Sequence, residues 1–160
     1  MRNIQRRTIG ASADRVGVLL DGLSGPGDVV WPVPAWAPLR FDAGLTAGSS
    51  GGHGRVRYSV SEVEPGRRIR CTFAPGLGLV GDHEFRVRPD GPDRCEVVHE
   101  LVARTEGRMV LFWPLVLRPL HDALLQDLLD NLERAATGRL PRPARWSPLV
   151  RLLRRAFVRV

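Results

Sequence analysis

Two stretches of the sequence place a histidine among alternating apolar side chains. In LVGDHEFRVRP, residues 79–89, one face carries His83, Phe85 and Val87. In CEVVHELVA, residues 95–103, one face carries Cys95, Val97, His99 and Leu101. Because successive side chains of a strand point to opposite faces of a sheet, both histidines are predicted on apolar faces. A neutral imidazole in such a place can accept a proton or hydrogen-bond a ligand.

The turn PDGPD, residues 89–93, joins these two runs and predicts a β-hairpin. A turn centred on Gly91 predicts the pairs His83–His99, Phe85–Val97 and Val87–Cys95. This register brings Arg86 beside Glu96, which is favourable, but it also brings Asp82 beside Glu100, which is unfavourable. A register shifted by two residues is therefore the alternative, and it keeps both histidines on the apolar face.

Neighbouring strand-like runs add further side chains to this predicted face. Tyr58 alternates with Val56 and Val60, and Cys71 alternates with Ile69 and Phe73. An apolar face with a few polar side chains is typical of a pocket for a largely hydrophobic ligand. The predicted ligand-binding residues are Tyr58, Cys71, Phe73, His83, Phe85, Val97, His99 and Trp113. The alternative is that each histidine is a hydrogen-bonded residue of a filled core.

The same polar side chains indicate an alternative, enzymatic function. A neutral His83 or His99 could act as general base on an acidic C–H or hydroxyl group. Tyr58 could then hold a developing enolate oxygen. These three residues are the catalytic candidates.

Motifs for cofactors and metals are weak. GLGLVG, residues 76–81, fits the dinucleotide fingerprint, but a strand-like run follows where a helix would have to receive the pyrophosphate. Position 103, four residues after His99, is alanine, so no zinc-binding helix motif is present. The spacing of His53, His83, His99 and His121 also fits no metal site. The sequence predicts neither a metal nor a cofactor.

The elements that must position these residues form a simple series. A first strand ends at Gly10, Ser12 is a helix N-cap, and residues 24–38 form a short helical turn and an ordered loop or lid. Strand-like runs with short turns follow to residue 106 and predict an antiparallel meander. A long helix then places on one face Leu120, Leu124, Leu128, Leu132 and Ala135, and Gly138 is a natural stop.

This order resembles the START-like or SRPBCC superfamily, in particular its polyketide cyclase/dehydrase and lipid-transport branch. The resemblance covers about residues 3–137 and rests on SEVEPGRRIRCTF, GLVGDHEFRV and WPLVLRPLHDALLQDLLDNLE. It implies an α+β helix-grip domain over residues 1–138. In this fold a curved antiparallel sheet of about six to seven strands wraps a long C-terminal helix, with two short helices after the first strand.

Six strands can be placed directly, and the seventh is expected in the glycine-rich AGLTAGSSGG, residues 43–52. The implied function is binding of a hydrophobic small molecule or lipid in an internal cavity. The alternative is a cyclase or dehydratase that uses a cavity histidine as its base.

The net charge of +7 is confined to the end of the chain. All 24 basic residues are arginine, and 7 of them lie in residues 139–160, which contain no acid. The remaining 17 arginines equal the 17 acidic residues of the body. Because nucleic-acid binding needs a basic folded surface, it is disfavoured.

The last residues, SPLVRLLRRAFVRV, predict a short basic amphipathic helix after a Pro/Arg-rich linker. Ser147 is its N-cap and Pro148 its first residue. Its apolar positions are Leu149, Leu152, Leu153, Ala156, Phe157 and Val160, and its arginines are Arg151, Arg154, Arg155 and Arg159.

Three partners compete for this helix. An anionic membrane would be met by Arg151, Leu152, Arg154, Arg155 and Phe157. The alternatives are packing in cis or onto a second subunit of a homodimer, and nucleic acid. Two cysteines and no apolar signal core predict a cytoplasmic protein, peripheral at the inner membrane face if the first alternative holds.

Overall fold

The computed structural model describes residues 1–158, and the predicted helix positions Arg159 and Val160 lie outside this range. The strands are β1 Arg2–Ile9, β2 Leu39–Phe41, β3 Ser50–His53, β4 Val56–Glu64, β5 Arg68–Phe73, β6 Leu79–Pro89 and β7 Cys95–Thr105. The helices are α1 Ala13–Asp21, α2 Met109–Phe112, α3 Arg118–Thr137 and α4 Pro148–Phe157, with a π-helical turn Trp113–Leu117 between α2 and α3.

The seven strands form one antiparallel sheet in the order β1-β7-β6-β5-β4-β3-β2. One face of this sheet is covered by α1 and α3, and the core lies between them. The other face carries ion pairs between neighbouring strands, such as Arg68–Glu84 at 2.8 Å and Arg70–Asp82 at 2.9 Å. The alternation of apolar and polar residues along the strands therefore produces a covered face and a solvated face, as predicted.

The register of the β6–β7 hairpin differs by two residues from the one centred on Gly91. His83 pairs with Leu101, and Phe85 pairs with His99. This register puts Glu84 opposite Glu100. Arginines remove the resulting like-charge cost, since Arg68 bonds to Glu84 at 2.8 Å and Arg2 bonds to Glu100 at 2.6 Å. The pairing depends on arginines of neighbouring strands, which the hairpin sequence does not contain.

A single helix follows β1, where the family resemblance implied two short ones. In α1 the Ser12 hydroxyl accepts a hydrogen bond from the Arg15 N–H, as the N-cap prediction requires. Residues 22–38 form turns instead of a second helix. Asp28 accepts backbone hydrogen bonds from Ser24, Val30 and Trp31, and four prolines remove helical N–H donors from the segment.

The seventh strand is β3, at the end of the glycine-rich stretch. A side chain at Gly51 would place its Cβ 2.0 Å from the Arg40 carbonyl oxygen of β2. A side chain at Gly52 would meet the Val56 carbonyl oxygen at the same distance. Glycines are therefore required where the backbones approach closely, and the strand lacks the β-branched residues that normally mark a strand.

The long helical segment starts at α2 and ends at Gly138, which adopts a left-handed φ of 72°. The π-helical turn precedes Pro119, which has no N–H to bond to the carbonyl four residues back. Within the turn, the Arg118 N–H bonds to the Trp113 carbonyl, five residues back. The buried residues of α3 are Leu120, Leu124, Leu125, Leu128, Leu129, Asp130, Leu132 and Ala136. Ala136 thus takes the buried position expected for Ala135, which is only half-buried.

The end of the chain folds back along α3. The Ala144 N–H donates to Asp130 at 2.6 Å, and the Trp146 indole donates to Asp127 at 2.9 Å. At the far end of α4, Phe157 reaches Phe112 with ring centroids 5.6 Å apart. The helix therefore runs opposite to α3, from its middle towards α2.

Candidate functional site

A cavity of about 50 Å³ lies between the sheet and α3. The four histidines of the chain and its single tyrosine all line this cavity. The other lining residues are Leu23, Trp31, Leu39, Phe41, Leu45, Ile69, Cys71, Phe85, Leu124 and Leu125. A mainly apolar wall with clustered polar side chains is the usual composition of a ligand site.

The centre of the polar cluster is the pair His83 and His99 on β6 and β7. The His83 Nδ1 and His99 Nε2 atoms are 3.4 Å apart. Phe85 packs edge-on against the His99 ring at 4.6 Å, and Phe73 lies 5.1 Å from the His83 ring. The aromatic rings fix both imidazoles in the sheet face.

Two side chains extend the cluster towards the sheet edge. Tyr58 of β4 meets the edge of the His83 ring at a centroid distance of 4.7 Å. His53 of β3 lies 6.0 Å from Tyr58 and 5.0 Å from Trp31. The short strand β3 thus adds an imidazole that the meander pattern did not indicate.

A fourth imidazole comes from α3 on the opposite side. The ring of His121 lies 5.2 Å from that of His99 and 5.7 Å from Trp113. Its Nδ1 atom is 3.6 Å from Oδ1 of Asp122, which also accepts a hydrogen bond from Asn3 at 2.8 Å. A row of polar groups therefore leads from β3 across the cavity to a carboxylate at the β1–α3 contact.

Burial keeps the sheet histidines neutral at physiological pH. It lowers the pKa of His53 to about 4 and that of His83 to about 3, with a further decrease from the electrostatic influence of His121. The pKa of His99 is held well below its ordinary value for the same two reasons. Each is therefore an imidazole with one acceptor and one donor nitrogen.

Burial also keeps the other two titratable cavity groups uncharged. It raises the pKa of the Cys71 thiol to about 12, and the pKa of Tyr58 stands well above its ordinary value. Asp122 behaves differently. Burial raises its pKa, but His121 and the hydrogen bond from Asn3 outweigh this and leave the pKa below 3.8.

Three ring nitrogens in the cluster are buried without a hydrogen-bond partner in the structure. They are His83 Nε2, His99 Nδ1 and His121 Nδ1. An unpaired buried polar group costs about 1–3 kcal/mol, so native proteins normally satisfy it. Because His121 Nδ1 faces the Asp122 carboxylate at 3.6 Å, the nitrogens free to bond to a further polar group are His83 Nε2 and His99 Nδ1.

The structure places the predicted site residues as follows. Tyr58, Cys71, His83, Phe85 and His99 line the cavity. The other three predicted residues do not line the cavity. Phe73 packs against the His83 ring, Trp113 packs against the His121 ring, and Val97 belongs to the packed core. His53, His121 and Trp31 were missed as site residues, and the only signal for His121 was its position next to the buried Leu120 on the helix.

The segment 22–49 covers the cavity, and we call it the cavity cover. It contributes five lining residues, Leu23, Trp31, Leu39, Phe41 and Leu45. Within residues 1–158, no group of three or more histidine, cysteine, aspartate or glutamate side chains is arranged to hold a metal ion. The neutral imidazoles and the Tyr58 hydroxyl of the cavity can form hydrogen bonds and transfer protons.

The C-terminal helix presents a different surface from the predicted one. Val150 and Leu153 are its buried residues, whereas Leu149, Leu152 and Phe157 are about half exposed or more. Of the predicted membrane-contact residues, Arg151, Leu152, Arg155 and Phe157 lie on the outside. The sequence predicted Arg154 on the outer polar face of the helix. Its guanidinium is instead turned inward and packs against the rings of Trp36 and Trp146. No helix of the described residues has the length and apolar character to cross a membrane.

A curved seven-stranded sheet closed by a long helix over a cavity defines the α+β helix-grip class of fold. No protein-family model and no curated protein matches the sequence. Solved structures match it along most of its length, and they confirm the helix-grip fold that the sequence resemblance predicted.

Three of these structures show the extent of the likeness. CalU16 from Micromonospora echinospora is 18% identical, covers 97% of this chain and 82% of its own, and has a TM-score of 0.61. Norcoclaurine synthase from Thalictrum flavum, in complex with dopamine and hydroxybenzaldehyde, is 15% identical over 89% of each chain, with a TM-score of 0.64. The Aha1 dimer from Colwellia psychrerythraea is 13% identical over 87% of this chain and 98% of its own, with a TM-score of 0.58.

Proposed function

We propose that the cavity binds a small, largely apolar molecule with at least one polar substituent. The observation that carries this proposal is the pair of ring nitrogens without a hydrogen-bond partner, His83 Nε2 and His99 Nδ1, inside an apolar wall. Two neutral imidazoles joined by one hydrogen bond always present one free donor and one free acceptor, whichever tautomers they adopt. A hydroxyl group on an aromatic ring matches this pattern because it both donates and accepts a hydrogen bond.

The volume of the cavity limits the ligand. Pockets for drug-sized ligands have volumes of about 300–1,000 Å³, whereas this cavity has a volume of about 50 Å³. Binding therefore requires the cavity cover to move outward, and a lipid would require a much larger movement than a single aromatic ring. The edge strand β2 lies within the cover, has three residues and pairs only with the four-residue β3, so little sheet pairing opposes such a movement.

The comparison with norcoclaurine synthase supports an aromatic ligand. That structure holds dopamine and hydroxybenzaldehyde, two aromatic molecules with polar substituents. The two proteins share a fold, and a shared fold does not fix the ligand. The ligand class is therefore proposed from the polar cluster of this chain.

A matched pair of probes tests this proposal. We expect 1-naphthol to raise the unfolding temperature more than naphthalene, because only the naphthol can satisfy an imidazole nitrogen. In the His83→Phe variant the shift caused by naphthol should fall to that of naphthalene. Equal shifts from both probes in the unmodified protein would reject a role for the polar cluster.

Proton-transfer catalysis of the cyclase or dehydratase type is the second candidate. It is favoured by the position of His83, whose ring lies 4.7 Å from that of Tyr58. His83 or His99 would take a proton from an acidic C–H, and the Tyr58 hydroxyl would donate a hydrogen bond to the enolate oxygen. In D₂O, 2-indanone should exchange its α-protons faster with the protein than without it, and the double variant His83→Phe/His99→Phe should abolish the difference.

The exposed side of α4 supports a second element of the proposal, contact with an anionic membrane. Leu152 and Phe157 are exposed there beside Arg151 and Arg155, and no acid lies between residues 139 and 160. Apolar side chains flanked by arginines suit the boundary between headgroups and acyl chains. The predicted location is therefore cytoplasmic and peripheral.

Co-sedimentation with vesicles tests this contact. We expect the protein to bind phosphatidylserine-containing vesicles but not phosphatidylcholine vesicles, and to bind more weakly as salt increases. Leu152→Glu should reduce sedimentation, whereas Val18→Glu, a substitution of an exposed valine on α1, should leave it unchanged. Equal loss in both variants would show that α4 is not the contact.

A further inference from the structure

Arg154 lies in a cage formed by two tryptophans and an aspartate. Its guanidinium carbon is 3.9 Å from the centroid of Trp146 and 5.0 Å from that of Trp36. The indole N–H groups of Trp36 and Trp146 both donate to Asp127, at 2.7 and 2.9 Å. A cation held between aromatic rings beside a carboxylate is a favourable arrangement, stronger where water is partly excluded.

The cage joins the C-terminal helix to the cavity cover. Arg154 donates a hydrogen bond to the carbonyl of Ala35, and Trp36 is the next residue of the cover. The indole of Trp31, which lines the cavity, donates to the Ala37 carbonyl at 2.9 Å. Residues 31–37 are thus held together, and a displacement of Trp36 would be transmitted to the cavity wall at Trp31.

The inner face of α4 carries groups that a membrane could use only after the helix leaves the body. Val150 and Leu153 are buried against the protein, and the guanidinium of Arg154 is inside the cage. Release of the helix would make two apolar side chains and one cation available to an anionic surface. An anionic membrane therefore has a higher affinity for the released state, and a ligand with such a preference shifts the population towards that state.

We propose that Arg154 in the Trp36–Trp146–Asp127 cage is a latch that holds the cavity cover closed, and that an anionic membrane opens it by binding α4. This inference rests on the proposed function, since it regulates access to the proposed ligand site. It assigns Arg154 and Trp36 a role in ligand entry without contact with the ligand.

Cys71 is a built-in reporter of an open cavity. It lines the cavity and is 4% exposed, so a thiol reagent reaches it only when the cover moves. Cys95 is fully buried outside the cavity lining and therefore reports global unfolding. Labelling the full chain with 4,4′-dithiodipyridine at one fixed pH forms a mixed disulfide and releases thiopyridone. Peptide mass spectrometry then separates the two cysteines.

The latch predicts faster labelling of Cys71 at an unchanged rate for Cys95. In Arg154→Gln we expect the Cys71 rate to rise about tenfold, the factor expected when one partly buried cation–π contact is lost. Trp36→Phe, which loses the hydrogen bond to Asp127, should act in the same direction. The control Arg142→Gln removes the same charge from an exposed position of the linker before α4 and should leave the rate unchanged.

The opening of the cover by a membrane is tested by comparing two kinds of vesicle. Phosphatidylserine-containing vesicles should accelerate Cys71 labelling of the unmodified protein, and phosphatidylcholine vesicles should not. Sedimentation of the protein without faster labelling would overturn the opening by membrane. An Arg154→Gln rate equal to that of Arg142→Gln would overturn the latch itself. If the protein sediments with neither vesicle, the proposed membrane contact fails, and the Arg154→Gln comparison alone decides whether the cage holds the cover.

Discussion

His83 and His99 lie on neighbouring strands as a diagonal pair, with 3.4 Å between His83 Nδ1 and His99 Nε2. Because His83 pairs with Leu101 in the ladder and His99 pairs with Phe85, the two imidazoles meet across the diagonal of the sheet face. One ring must donate to the other, which fixes the two outward nitrogens as one donor and one acceptor. The pair therefore acts as a polar unit with a defined hydrogen-bonding pattern inside an apolar wall.

The buried histidines predict acid sensitivity. Their pKa values in the folded protein, about 4 for His53 and about 3 for His83, are below the 6.5 of the unfolded chain. As pH falls below 6.5, the unfolded chain binds protons that the folded protein does not, so the free energy of unfolding decreases until the folded pKa is reached. Each such histidine contributes about 1.4 kcal/mol per pH unit.

Urea unfolding at a series of pH values measures this effect. Removal of one titrating group in His53→Phe should reduce the slope between about pH 6 and about pH 4 by the contribution of one proton. A free energy of unfolding that is constant over this range would contradict the assignment of neutral buried histidines.

Substitution of Arg7 is expected to destabilise the contact between β1 and α3. Its side chain bonds to Asp130 at 2.9 Å and to Glu133 at 2.7 Å and is only 18% exposed. Arg7→Met would leave two carboxylates without their partner, and we expect a loss of about 3 kcal/mol in urea unfolding. The neighbouring Arg6 pairs with Glu96 at 3.4 Å while 52% exposed, so Arg6→Met should cost less than about 1 kcal/mol. Equal effects would exclude a special role for the buried pair.

The lack of a side chain at Gly17 allows α1 to pack closely against the turn between β4 and β5. A Cβ atom at Gly17 would lie 2.3 Å from the carbonyl oxygen of Gly66, in the turn between β4 and β5. Gly17→Ala should therefore push α1 away from the sheet and reduce the unfolding free energy by about 2 kcal/mol. Gly10→Ala, where a Cβ meets no atom within 4 Å, is the matched control. A neutral Gly17→Ala would contradict the close packing of helix and turn.

Much of the fold follows from patterns that are local in the sequence. The N-caps Ser12 and Ser147 and the stop at Gly138 are confirmed because capping involves residues only a few positions apart. Alternation along β6 and β7 likewise placed both histidines on the covered face, because side-chain direction depends only on the strand.

The features that were missed depend on distant residues. The hairpin register depends on Arg2 and Arg68 from two other strands. His53 and His121 join the cavity through strand β3 and helix α3, which are far apart in the sequence, so no local pattern could bring them together. Arg154 is turned inward by Trp36, over a hundred residues earlier, although its helical position suggested the polar face.

The central claim is that the histidine cluster recognises a polar substituent on a small apolar ligand, and ¹⁵N NMR of the imidazole nitrogens tests it most directly. Phenol and benzene share one ring and differ in one hydroxyl group. The account predicts that phenol shifts the ring-nitrogen signals of His83 and His99 in the direction of a new hydrogen bond and binds about tenfold more tightly than benzene. Benzene binding as tightly as phenol, or phenol leaving both rings unchanged, would contradict it.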